Sequence, residues 1–243
     1  GSCVALAAWL CLPGTATAAA FAAPPQAARP SQVLMGQDAQ QLAAWIRATG
    51  NNHAQPFALI DKKAASVHVF DAVGMLRGSS PVLLGLAVGD DSVPGIGERK
   101  MSEIRPEERT TPAGRFAAEP GRNLQGEDIV WIDYDAAVSM HRVRSGNKVE
   151  RRLERLTTPT VADNRISYGC VNVPAAFYDA LIKPLLGEQA AVIYVLPETR
   201  SASAVFGLAD KPVAGADRRV AGTCPLYTSP SPRDQRGARM PSS

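Results

Sequence analysis

From residue 57 to residue 196 the chain is divided into short segments with the two-residue alternation of strands, each closed by turn-forming residues. That pattern rules out a helical bundle. Phe57, Ala58, Leu59 and Ile60, and then Ser66, Val67, His68, Val69 and Phe70, flank the turn-prone Asp61, Lys62 and Lys63, and together they read as a hairpin. Residues 81–88 form a continuous apolar run suited to a strand covered on both faces. Further strands are expected over residues 115–119, 129–133 and 138–143, and residues 190–196 close the series. Helical patterns are confined to residues 39–49 and 174–186, where Pro174 suits a first helical turn. Residues 89–112 are polar and rich in Gly, Pro and Arg, and are expected to form a long, partly mobile loop. The fold class is therefore mainly β, mostly antiparallel, with one or two helices.

The two ends differ from this middle. Residues 4–12 are almost wholly apolar, and Pro13, Gly14 and a string of small residues around Ala20, Phe21 and Ala22 follow. A bilayer-spanning helix needs about 20 apolar residues, so this run is too short for one. Residues 1–22 are expected to be a truncated secretory signal with a small-x-small cleavage site, which leaves no stable membrane span after cleavage and places the protein outside the cytoplasm. Residues 23–55 read as a linker with a short helix, and residues 56–198 as one domain of ordinary size. From residue 199 to residue 243, Pro, Ser, Arg and Gly dominate without hydrophobic period, so this tail is expected to be disordered. Its last stretch, beginning at Pro225, reads partly as appended sequence foreign to the rest.

Of four cysteines, Cys3 and Cys11 belong to the expected signal and Cys224 to the tail, which leaves Cys170 without a disulfide partner in the domain. The formal charge of +3 gives no reason to expect a nucleic-acid partner. Basic residues do gather at Arg142, Arg144, Lys148, Arg151, Arg152 and Arg155. They read either as a solvated face or as a rim that attracts an anionic substrate. The sequence does not specify an oligomeric state.

Cys170 carries the chemistry. A lone thiol beside Gly169 and Asn172, with His141 upstream, is the arrangement from which a cysteine nucleophile is built. A free thiol titrates near about 8.5, so it needs an imidazole to take its proton at neutral pH. A zinc site would need three or four ligands, and Cys170 and His141 have no third; no metal or organic cofactor is implied. A papain-type protease would place cysteine before histidine, and the Thr-x-Thr-Cys motif of a sortase is absent.

Thr110, Thr111, Pro112, Ala113, Gly114, Arg115 and Phe116, then Ser139, Met140 and His141, then Ser167, Tyr168, Gly169, Cys170, Val171 and Asn172 follow one another in the order of the landmarks of a known family. The stretch resembles the L,D-transpeptidase catalytic domain, also called the YkuD domain, over residues 57–196. The resemblance implies a β-sandwich-like fold, export to the periplasm or cell envelope of a bacterium, and action on peptidoglycan stem peptides. It implies Cys170 as the nucleophile that forms a thioester and His141 as the general acid and base. It also implies an oxyanion held near Gly169 and Cys170, and Asn172 on the substrate. Tyr168 stands where the family usually has histidine, and is expected to give its hydroxyl to substrate or oxyanion or to fill the imidazole's space. Ser167 is expected to orient the turn or meet substrate, and Arg165 to meet a stem-peptide carboxylate. The alternatives are an L,D-carboxypeptidase that uses water as acceptor, and an inactive peptidoglycan-binding relative.

Overall fold

The structure is a computed structural model that describes Gly1 and residues 33–208. The expected signal peptide, the three cysteines outside the domain and the tail beyond residue 208 lie outside the described residues. Ten strands dominate: β1 (Phe57–Asp61), β2 (Ser66–Phe70), β3 (Leu76–Pro81), β4 (Leu84–Gly85), β5 (Gly114–Arg122), β6 (Asp128–Asp133), β7 (Val138–Arg142), β8 (Arg165–Ser167), β9 (Val171–Val173) and β10 (Ala191–Val195). Eight form one sheet in the order β3-β2-β1-β10-β5-β6-β7-β9, and β4 pairs with β8 in a small second sheet. Within the large sheet the β1–β10 and β7–β9 pairs are parallel, and the other pairs are antiparallel. The protein is mostly β, as its alternation indicates.

The two edges of the large sheet are joined. After β3 the chain leaves one edge at Pro81, and Leu83 exchanges backbone hydrogen bonds of 2.9 Å in both directions with Asn172 of β9, the opposite edge. The apolar run 81–88 is thus not one strand. It ends β3, crosses to β9 and then forms β4, and its side chains Val82, Leu83 and Leu84 are fully buried at this seam.

Both faces of the strands around β1 are covered, which is why β1 is buried along its whole length. Successive side chains point to opposite faces. Ala58, Ile60, Val67, Val69, Ile193 and Val195 join a core with Tyr178, Ile182 and Leu186. These three come from the helix that starts as α3 (Ala175–Phe177) and continues in wider π turns over Tyr178–Gly187. Phe57, Leu59, Phe70, Val192 and Tyr194 form a second core with Leu42 and Ile46 of α1 (Gln37–Thr49). Phe57 and Phe70 stack with ring centroids 4.6 Å apart, and Tyr194 meets Phe57 edge-on at 6.0 Å.

Two domain limits move outward as a result. Helix α1 packs on the sheet as part of the domain, not as a linker. Residues 199–208, expected to begin the tail, contain α4 (Ala202–Phe206), whose Ala202 and Phe206 join the second core. The loop from Gly89 to Pro112 contains three single-turn 3₁₀ segments and is tied down at Asp90, Glu108 and Thr111. Helix α2 (Arg152–Arg155) lies in the basic stretch.

His68 is fully buried in β2, between the hydroxyls of Ser66 and Ser79. Burial pushes its imidazole down to about 4. An unfolded imidazole takes a proton below about 6.5, so between these values the unfolded chain binds more protons than the folded one. Stability from this residue is therefore complete above about pH 6.5 and falls as pH drops toward about 4. Urea unfolding at pH 7 and pH 4.5 is expected to show a loss of about 2 kcal/mol in the parent protein that is absent in His68→Gln; an equal loss in both would assign it to other groups.

Candidate active site

Two short strands set the position of Cys170. The turn Tyr168-Gly169-Cys170 links β8, which pairs with β4, to β9, which pairs with β7. Along the β7–β9 register His141 lies opposite Asn172. Two steps back along it bring Ser139 opposite Cys170, and the two-residue period puts Ser139 and His141 on one side of β7.

The turn depends on glycine at residue 169. Its φ of 128° is open to few residues other than glycine, and a Cβ there would lie 2.7 Å from the Thr110 carbonyl oxygen. Its carbonyl accepts a 2.8 Å hydrogen bond from Thr111 Oγ1, which in turn accepts from the Gly85 N–H at 2.9 Å. Its N–H donates to Ser167 Oγ at 3.1 Å, and that hydroxyl donates to the Cys170 carbonyl at 2.6 Å. Ser167, 3 % exposed, is thus a brace inside the turn, and it also lines the cavity at Cys170. The Gly169 N–H, spent on Ser167, is not an oxyanion donor. The Cys170 N–H has no hydrogen-bond partner among the described residues.

Cys170 is half-buried. Its Sγ forms two long hydrogen bonds, 3.7 Å with Ser139 Oγ and 3.8 Å to the Ala137 carbonyl. Burial alone would raise the thiol. The nearby His141, with the backbone N–H and hydroxyl of Ser139, outweighs burial and holds it below its ordinary value. His141 lines the same cavity as Cys170, while its own hydrogen bonds run to other groups. Nδ1 donates to the Arg142 carbonyl at 2.8 Å, because a carbonyl can only accept, and the Asn172 amide lies 3.2 Å from Nε2.

The other expected site residues are placed as follows. Asn172 is fully buried in the wall of the cavity at Cys170, with its amide shared between His141 and Arg152, so it supports the imidazole. Arg109 stacks its guanidinium 3.9 Å from the centroid of the half-buried Tyr168 ring, so the ring holds the 89–112 loop to the turn. Arg165 is engaged by the buried carboxylate of Glu198 and by the Lys62 carbonyl, in a pocket that does not include Cys170. It is a structural ion pair and not a carboxylate receptor.

A cavity of about 360 Å³ opens at Cys170, lined among others by His141, Tyr168, Asn172, Met101, Arg144 and Arg152. Of the basic stretch, Arg142 turns to Asp128 and Asp179 and stacks on Tyr178, Arg144 pairs with Glu127, Arg151 with Glu154 and Arg152 with Glu150. Among the described residues no group of three His, Cys, Asp or Glu side chains is placed to hold a metal ion, and no helix is long and apolar enough to cross a membrane.

Sequence reasoning missed Thr111 as the tie between two glycines, Ser139 as the thiol's neighbour, and Arg152. Ser139 was within reach, since a residue two before the base in a strand shares its face. Arg152 was legible only as one member of the basic cluster, because its partner Asn172 is set by the path of an irregular segment.

No family model matches the chain, and no curated protein matches it. Solved structures similar to it include several L,D-transpeptidases. One from Xylanimonas cellulosilytica is 14 % identical with a TM-score of 0.36, over 58 % of this chain and 60 % of that one. One from Mycobacterium smegmatis is 15 % identical with a TM-score of 0.34, over 58 % of each chain. The helical cell shape determining protein from Campylobacter jejuni is 12 % identical with a TM-score of 0.39, over 66 % of this chain and 57 % of that one. The chain thus spans about 60 % of the length of the first two.

Gly169→Ala is expected to cost about 1–3 kcal/mol through backbone strain and to misplace the thiol. Urea unfolding combined with iodoacetamide labelling of Cys170 measures both, and parent-like values for both would show that the turn tolerates a Cβ.

Proposed function

We propose that this protein is a cysteine-dependent L,D-transpeptidase acting on peptidoglycan stem peptides. The observation that carries the chemistry is the half-buried Cys170 thiol held below its ordinary value beside an imidazole whose Nδ1 proton is committed to the Arg142 carbonyl. That commitment leaves the Nε2 lone pair as the basic site. The substrate class rests on the ordered motifs around Thr110, His141 and Cys170, and an envelope location follows from it.

In this reading Cys170 Sγ attacks the carbonyl carbon of the third stem residue, a diamino acid, and its proton passes to His141 Nε2. The oxyanion meets the Cys170 N–H. Collapse breaks the peptide bond, and the proton on His141 moves to the amine of the departing D-alanine, leaving a thioester on Cys170. The side-chain amine of a second stem then attacks the thioester, gives its proton to His141, and the cross-link forms as the thiolate leaves. Arg144 and Arg152 line the cleft, each paired with a carboxylate, Glu127 and Glu150, so a carboxylate-bearing stem competes with these partners for them.

Incubation with a diaminopimelate-containing tetrapeptide is expected to give a Cys170 acyl-enzyme by intact mass spectrometry, and a cross-linked product when a second stem is supplied. Cys170→Ala abolishes both, and His141→Gln slows acylation by about 10²–10⁴-fold. Release of the tripeptide alone would mean that water is the acceptor, and the absence of any adduct would sink the assignment.

A further inference from the structure

The segment between β7 and β8 sends one side chain back toward the base. Arg152 Nη1 donates to Asn172 Oδ1 at 2.5 Å, and Arg152 Nε is paired with Glu150, so the guanidinium is held from two sides. Its side chain is 17 % exposed, which leaves it little room to turn away.

A guanidinium can only donate, so the atom of Asn172 that faces it must be the carbonyl oxygen. The NH₂ group of the same amide is then compelled to face His141 Nε2. An NH₂ group also only donates, so Nε2 must offer its lone pair, and the imidazole proton must sit on Nδ1. The other side of the ring agrees independently, because Nδ1 faces the Arg142 carbonyl, an acceptor. Turning the amide over would set donor against donor at Arg152. Without Arg152 nothing on the Oδ1 side would oppose that turn, and Oδ1 could then accept from a protonated Nε2.

We propose that Arg152 is a positioning residue: through the carboxamide of Asn172 it selects the Nδ1-protonated tautomer of His141 and keeps Nε2 ready as the proton acceptor. The proposal concerns the base of the site described above and so rests on that reading for its catalytic meaning, while the tautomer itself is a property of the resting protein. For Nε2 to take the thiol proton, the ring must exchange the Asn172 N–H for the Cys170 S–H. Arg152 therefore also sets what must be displaced before the base can work.

The test is nitrogen-15 NMR of the imidazole in the substrate-free protein, with the His141 signals identified by their loss in His141→Gln. The parent is expected to show one neutral tautomer, protonated on Nδ1. Arg152→Leu is expected to show loss of that single pattern and appearance of the Nε2-protonated form, and Arg152→Lys, which still donates to Oδ1, restores the parent pattern. If Arg152→Leu does not fold, Arg152→Met keeps the aliphatic stem and is read in the same way. A parent-like tautomer in the Leu and Met variants, or a Lys variant indistinguishable from them, overturns the proposal. Because no substrate enters the measurement, its failure is separate from a failure to form the acyl-enzyme.

Discussion

A single buried ammonium organises the ground on which the site stands. Lys62 Nζ is fully buried and donates to Asp90 and to the carbonyls of Gly89 and Thr111, with Glu198 at 3.5 Å. Burial would raise Asp90, but Lys62, Thr199 and the backbone N–H groups of residues 198 and 199 outweigh it and hold the carboxyl well below its usual range. Glu198 in turn holds Arg165 at the start of β8. One charge cluster thus gathers the β1–β2 turn, the long loop, the strand before Cys170 and the chain after β10. Removing one member of such a cluster leaves uncompensated buried charge, at about 3–5 kcal/mol. Its position matters for chemistry because the same Thr111 whose carbonyl meets Lys62 also bonds the Gly169 carbonyl beside Cys170.

Much of the sheet was legible because alternation is a local signal. The β1–β2 hairpin, β5, β6, β7 and β10 each announce themselves within a few residues, and α1 does so by its Ala-rich helical period. β8 and β9 did not, because each is three residues long and its pairing partner is remote. The run 81–88 misled for a different reason: continuous apolarity reports burial, and here the burial comes from a seam and not from one strand. Lys62 was the least legible residue. In sequence it is an ordinary turn lysine, and its burial depends on groups 27 and 49 residues further along.

The site divides in the same way. Cys170 and His141 are chemically distinctive residue types, and order in the chain identifies them. Ser167, Asn172 and Arg165 are not distinctive, and each is drawn inward by a partner that no local pattern specifies: a turn carbonyl, an imidazole with a guanidinium, and a buried carboxylate. Tyr168, which departs from the motif it sits in, finds its use in a stacking contact with Arg109 from the long loop.

The backbone of Asn172 makes the closing bridge with Leu83 while its side chain meets His141. The pairing of β7 with β9 sets that imidazole opposite Asn172, and the bridge ties the far edge of the sheet to the same residue. Leu83 and Asn172 are far apart in the chain, so their contact costs more loop-closure entropy than a hairpin does. One residue thus serves both the closure of the sheet and the placing of the imidazole, and because the bridge is made by backbone atoms, a side-chain substitution at Asn172 separates the two duties.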